Sequence, residues 1–133
     1  MKILVDTNIL ISAALFPNSI PFKAYVKAVS FPHHAIVCEQ NIDEMKRVFY
    51  RKFPARIEAL DRFLAAALLV LDVVPVPDEE DSKEDLIRDC LDRPILRAAI
   101  QADVDILLTG DKDFLESGIR IPRIMTPAQF MNL

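Results

Sequence analysis

Glycine is nearly missing from this chain: 133 residues contain only two, Gly110 and Gly118. A Walker A loop or a G-x-G-x-x-G turn needs several, because its backbone must approach phosphate with no Cβ in the way. Any phosphate chemistry here therefore falls to metal ions or side chains. Cysteine is scarce as well. Cys38 and Cys90 form no C-x-x-C pair, which points to free thiols in a reducing compartment. Long apolar runs are missing too: the longest, Phe63 to Leu71, falls far short of the ~20 residues a membrane span requires. The chain opens on a strand rather than on a charged-then-apolar leader, so a cytoplasmic protein is expected. Positive charge is in deficit, with 16 Lys and Arg against 20 Asp and Glu, a net charge of −4. That balance argues against binding nucleic acid through bulk charge alone.

What is present is a core. Hydrophobic residues make up 52% of the chain, which excludes disorder, and a chain of this length buries roughly two thirds of its unfolded surface. A single domain over residues 1–133 is expected. Ile3-Leu4-Val5 reads as a buried strand, followed by an apolar segment from Ile9 to Phe16 and a helix from Pro21 to Val29. Ala35 to Cys38 is the next strand. Ile42, Met45, Val48 and Phe49 mark a helix over Asn41 to Tyr50. A long helix is expected from Pro54 to Leu71, then a strand-like Val73–Val76 whose Pro75 places it at a sheet edge or at a strand end. Asp78 to Asp85 reads as an acidic, polar connector without the central glycine of a calcium loop, and His33-His34 as a loop. The pattern closes with a helix Pro94–Ala102, a strand Ile106–Leu108, a short helix near Phe114, a strand at Ile124-Met125 and a helix capped by Thr126. Strands alternating with helices predict a three-layer α/β/α sandwich with a mainly parallel central sheet.

Ligands of such sheets sit beyond the carboxyl ends of the strands. Asp6 follows the first strand and Asp111 follows Leu108-Thr109, with Asp113 close behind. Glu44 lies early in the helix after the second strand, and Asp92 opens the helix after the acidic connector. Helices here start at the edge where strands end, so the four acids converge. Crowded carboxylates repel one another, and a divalent ion removes that cost. Mg²⁺ and Mn²⁺ prefer oxygen ligands, and such a site activates water for displacement at phosphorus. Taken singly, Asp6, Asp92 and Asp111 also read as helix N-caps, each worth about 1 kcal/mol. A capping carboxylate still has a second oxygen for a metal. Asp43 rivals Glu44 for the inward role.

Asp6-Thr7-Asn8-Ile9-Leu10 after the first strand resembles the opening motif of the PIN-domain ribonucleases. Ile42 to Val48, with Glu44 at the catalytic glutamate, resembles the second acidic element of that family. Arg88-Asp89-Cys90-Leu91-Asp92 resembles the third, Leu108-Thr109-Gly110-Asp111-Lys112-Asp113-Phe114 the fourth, and Thr126 to Phe130 the usual ending. The match covers nearly the whole chain, and the VapC-like toxins of toxin–antitoxin pairs are the most similar subgroup. The resemblance implies a Mg²⁺- or Mn²⁺-dependent endoribonuclease that hydrolyses RNA phosphodiesters with a metal-activated water, with a cognate antitoxin and a homodimeric state. It assigns catalysis to Asp6, Glu44, Asp92 and Asp111, and metal binding to Asp6, Asp92, Asp111 and Asp113. Thr7, Asn8, Asp89 and Thr109 become polar supports, and Arg47, Arg51 and Arg93 candidate substrate contacts.

Three departures from the family pattern stand out. Cys90 and Arg93 replace the usual proline and asparagine of the third element, and Arg93 brings a cation beside the expected metal site. Cys38 replaces a frequent serine, so the helix before Glu44 loses a good cap. The acidic connector is longer than usual. Lys46, Arg47, Arg51, Lys52 and Arg56, with Tyr50 and Phe53 between them, form the main basic cluster, equally readable as a solvated face or an RNA surface. The rival reading is a catalytically weak or inactive PIN-like module that binds protein or RNA. A phosphatase using Asp6 as nucleophile would need a second aspartate two residues on, where Asn8 stands.

Overall fold

The computed structural model describes residues 1–133. Five strands, β1 (Lys2–Val5), β2 (His34–Cys38), β3 (Asp72–Val74), β4 (Ile106–Leu108) and β5 (Arg123–Met125), form one sheet in the order β3-β2-β1-β4-β5. Every pairing is parallel. The helices are α1 (Thr7–Leu15), α2 (Ile20–Val29), α3 (Glu39–Lys52), α4 (Ile57–Ala67), α5 (Arg93–Gln101), α6 (Lys112–Leu115) and α7 (Pro127–Met131).

The two-residue period of the strands sorts the core into two faces. Ile3, Val5, Ala35, Val37, Ile106 and Leu108 point to one side, where α1, α2, α3, α4 and α7 lie. Leu4, Ile36, Cys38 and Leu107 point to the other, under α5 and α6. This is the three-layer α/β/α arrangement. Strands buried on both faces carry almost no polar residue, which is why β1 and β4 read as unbroken apolar runs.

The chain runs outward from β1 through β2 to β3, then returns to add β4 and β5 on the other side of β1. The direction of winding therefore reverses between β1 and β4, and the crevice beyond their carboxyl ends is where sheets of this kind hold ligands. Leu4 and Val5 pair with Leu107 and Leu108, and the Asp6 amide donates to the Leu108 carbonyl at 3.0 Å. That register fixes the ends of β1 and β4 side by side.

Three elements depart from the periodicity. The helix expected from Pro54 to Leu71 is a 3₁₀ turn, Pro54–Arg56, followed by α4, which ends at Ala67. Leu68, Leu69 and Val70 are exposed; they form the turn that carries the chain back to the sheet edge, and apolar composition alone masked it. β3 is an edge strand, as Pro75 suggested, but it occupies Asp72–Val74 and stops before that proline, which has no N–H to offer a ladder. His34 opens β2 rather than lying in a loop, paired with Lys2. No single helix is long and apolar enough to cross a membrane.

The acidic connector is not merely solvated. Ser82–Leu86 forms a 3₁₀ helix, and Glu84 within it is buried at 3% exposure. Arg97 of α5 grips the Glu84 carboxylate from Nε (3.1 and 3.3 Å) and Nη2 (2.8 Å), while its Nη1 donates to the Pro77 carbonyl at 3.0 Å. One guanidinium thus ties both ends of the connector to α5 in the bidentate geometry that arginine allows. The hydrogen bonds from Arg97 hold the Glu84 carboxyl below the usual carboxylate range. A group that titrates lower folded than unfolded contributes stability that is complete above its unfolded value and lost as pH falls through its folded one. Glu84→Gln is expected to lower unfolding free energy at neutral pH by about 1.5–3 kcal/mol. Urea titrations should show the difference shrinking below about pH 4.

Candidate active site

Asp6 follows β1 and caps α1 with an extended backbone, its Oδ1 accepting the Thr7 amide at 2.8 Å. Oδ2 accepts the Thr109 hydroxyl at 2.7 Å and the Asn8 amide nitrogen at 3.5 Å. Asn41 donates to Oδ1 at 3.3 Å. The carboxylate is buried, and burial pushes its pKa up to about 6. The hydrogen bonds from Thr109 and Thr7 oppose that shift, while the charges of Glu44 and Asp111 add to it.

Thr109, the first residue past β4, couples two acids: its hydroxyl donates to Asp6 and accepts the Asp111 amide at 3.0 Å. Asp111 caps α6 through Oδ1, which accepts the Asp113 amide at 2.9 Å. Asn8 closes the same turn, its Oδ1 accepting the Gly110 amide at 3.2 Å.

On the opposite wall, Glu44 of α3 is half-buried and accepts the Thr7 hydroxyl at 3.1 Å. Asp43, its rival, is exposed and faces a neighbouring cleft with Glu39. Asn41, which the sequence reading passed over, is fully buried one turn before Glu44. Its Oδ1 accepts the Cys38 amide at 3.0 Å, and its Nδ2 reaches Asp6 and, at 3.0 Å, the Thr7 hydroxyl. So the start of α3 does find a polar partner within the helix, Asn41 reaching back to the Cys38 amide in a capping box. The signal was available: a polar residue three after the cap and three before Glu44 shares the face of both.

Asp92 behaves differently from the other two caps. It sits at the N-cap of α5 in a helical backbone conformation, and its side chain caps nothing. Desolvation raises its pKa to about 8, helped by the charges of Asp111, Asp6 and Asp89 and by a hydrogen bond with Asp111 that favours the protonated form. Asp89, Asp92 and Asp113 bring carboxylate oxygens within 4.8 Å of one another. Asp89, expected only as a support, thus belongs to the tightest group, while its Oδ1 also accepts the Leu91 amide at 2.9 Å.

The cations are not where sequence adjacency suggests. Arg93 turns back to donate from Nε to the Ile87 carbonyl at 3.0 Å. Arg88, instead, reaches the acids, 2.9 Å from Asp113 and 3.1 Å from Glu116. Arg47 and Arg51 line a cleft of about 480 Å³ with Glu44, Asp89 and Asp92. Tyr50 is exposed, whereas Phe53 packs against Phe49 with ring centroids 5.7 Å apart. Both cysteines are free, Cys38 buried and Cys90 exposed.

The donor set is all hard oxygen, and two of its members are pushed toward protonation by burial and mutual repulsion. A small divalent cation fits such a set, because it converts the repulsion into attraction.

Residues 2–113 match a family model described as PIN domain. No curated protein matches the chain significantly. Among solved structures, the chain is similar to VapBC2 from Rickettsia felis bound to a DNA fragment from its promoter (TM-score 0.66, 17% identity, covering 95% of this chain and 97% of that one). A toxin–antitoxin complex from Klebsiella pneumoniae aligns with TM-score 0.66 and 23% identity over 93% and 96% of the two chains. VapC20 from Mycobacterium tuberculosis, described as a sarcin–ricin loop cleaving toxin, aligns with TM-score 0.61 and 16% identity over 88% and 95%. At these identities the likeness is one of fold.

Asp92 titrates higher in the folded protein than its ordinary 3.8. The stability linked to it is intact below the unfolded value and lost as pH rises through the folded one. In the presence of EDTA, Asp92→Asn is therefore expected to melt several degrees above wild type near pH 9 and level with it near pH 4. Added Mn²⁺ should raise the wild-type melting temperature more than that of the variant.

Proposed function

The chain belongs to the PIN-domain family of nucleases, and from that premise we propose that it is a metal-dependent endoribonuclease, the toxin of a toxin–antitoxin pair acting in the cytoplasm. One observation carries this reading above the others. Asp6, Glu44, Asp92 and Asp111 come from four separate chain segments to one crevice, and two of them resist ionisation there. Their mutual repulsion costs the fold stability that the capping bonds only partly offset, which supports a cationic ligand at the crevice.

Asp6, Asp92, Asp111 and Asp113 would hold the cation, with Asp89 at the outer rim. Mg²⁺ and Mn²⁺ suit carboxylate and water ligands better than softer metals do. When bound, the cation supplies Lewis acidity toward water and offsets the charge that builds on the phosphate. Thr109, Asn41 and Asn8 fix both oxygens of Asp6, so that this carboxylate needs no reorganisation to meet a cation. Glu44, held by the Thr7 hydroxyl, would accept a hydrogen bond from the attacking water and orient it. Arg47 and Arg51 offer paired positive charge along the cleft for the phosphates flanking the scissile one. No side chain is arranged as an activated nucleophile, which favours direct hydrolysis over a covalent intermediate.

Two of the similar structures contain toxin and antitoxin proteins together, which supports an antitoxin partner here. Phe16, Ile20, Val26 and Phe31, the last 98% exposed, give α1, α2 and the loop after them an apolar surface suited to that partner or to a second copy in a homodimer.

Labelled single-stranded RNA incubated with the protein and Mn²⁺ should be cut, and EDTA should stop the cutting. Asp6→Asn should reduce the rate by about 10²-fold or more. Equal behaviour of wild type and Asp6→Asn would instead mark a non-catalytic binding module. In the Asp6→Asn background, Arg47→Ala and Arg51→Ala are each expected to weaken RNA binding and to lower the slope of log K against log salt by about 1.

A further inference from the structure

We propose that Arg88 is a built-in competitor of the divalent cation at Asp113, setting how tightly the outer part of the acidic site holds metal. The inference rests on the metal-dependent reading above and goes beyond it by assigning a residue that controls occupancy.

Arg88 follows the fully buried Ile87, which pins its backbone, while its own side chain is two-thirds exposed. Its Nη2 lies between two carboxylates, 2.9 Å from Asp113 Oδ1 and 3.1 Å from Glu116 Oε2. Those acids stand three residues apart on α6 and its C-cap, so they share one face. Asp113 also belongs to the group, with Asp89 and Asp92, whose oxygens lie within 4.8 Å of one another. The same carboxylate is thus bonded to a guanidinium and turned toward the candidate metal position.

A guanidinium stays charged at every accessible pH and cannot ligate a metal. A cation bridging Asp89, Asp92 and Asp113 must therefore share the Asp113 carboxylate with Arg88 or displace it, and in either case tolerate a fixed positive charge nearby. Glu116 gives the displaced guanidinium somewhere to stay, which keeps it beside the site. Arg93 does not share this task, being engaged on the Ile87 carbonyl. A cation held by Asp6, Asp92 and Asp111 alone leaves the Arg88 pair intact. Two grades of affinity result, a tighter inner position and a weaker outer one.

The test is Mn²⁺ titration of the full chain at fixed pH and ionic strength, with free Mn²⁺ followed by EPR and no RNA present. Arg88→Gln is expected to tighten the weaker binding about three- to tenfold, the range for removing one unit charge from a partly exposed site. Arg88→Lys should leave it near the wild-type value. In the Asp113→Asn background, Arg88→Gln should change the affinity less than twofold. Equal Mn²⁺ binding by wild type and Arg88→Gln overturns the role of Arg88 while leaving the metal-dependent reading standing. Equal tightening with and without Asp113 overturns it too, reducing Arg88 to a general surface charge. Binding to neither protein at millimolar Mn²⁺ overturns both.

Discussion

Mutual repulsion among carboxylates at the reversal point of the sheet is the constraint on which the rest of the site depends. Asp6 lies buried at the end of β1, Asp111 just past β4, and Asp92 at the start of α5, each within electrostatic reach of the others. Burying a carboxylate penalises its charged form, and like charges nearby penalise it further. Neutral hydrogen-bond donors temper that penalty without removing it. The Thr109 hydroxyl and the Thr7 amide lower the Asp6 pKa, which burial still holds at about 6. Asp92 has no such donors and rises to about 8. Asp92 is the less buried of the two, so the supply of donors and the nearby charges, rather than depth, set the order.

The supply of positive charge is correspondingly selective. Arg97 is committed to Glu84, and Arg93 to the Ile87 carbonyl, so neither neutralises the crevice. Only Arg88 touches one of the clustered acids, from the outer side, through Asp113. Arg47 and Arg51 stand along the cleft wall rather than against the acids. The acidic connector has a structural part in this: pinned by the Glu84–Arg97 pair, it fixes the path by which Arg88, Asp89 and Asp92 are delivered to the sheet edge.

Much of this was legible in order along the chain, because strand-end acids announce themselves. Asp6 and Asp111 follow short apolar runs that only a buried parallel strand explains, and Thr109-Gly110-Asp111 marks the turn between strand and helix. Glu44 could not be separated from Asp43 by spacing, since neighbours on a helix differ by only about 100° of rotation. The Thr7 hydroxyl decides it, and Thr7 is distant in sequence. Asn41 was missed for the same reason: its partners, Asp6 and Thr7, lie on another element. Along the chain Glu84 is one more acid in a polar connector, and only packing sets Arg97, thirteen residues later, against it. The end of α4 was hidden because Leu68, Leu69 and Val70 are apolar yet exposed.

The scarcity of glycine, the alternation of strand and helix, and the acids at strand ends were properties of the sequence alone. They determined an α/β sheet with carboxylates at its strand ends and no glycine-rich loop. Tertiary structure decided which charges meet: Arg88 rather than Arg93 on the acids, Asp89 rather than Asp111 in the tightest group, Asn41 behind Asp6. Periodicity specifies which face a residue occupies, because backbone geometry repeats locally. Ion pairs and hydrogen bonds across elements depend on where the chain returns, and that is fixed only when the faces pack.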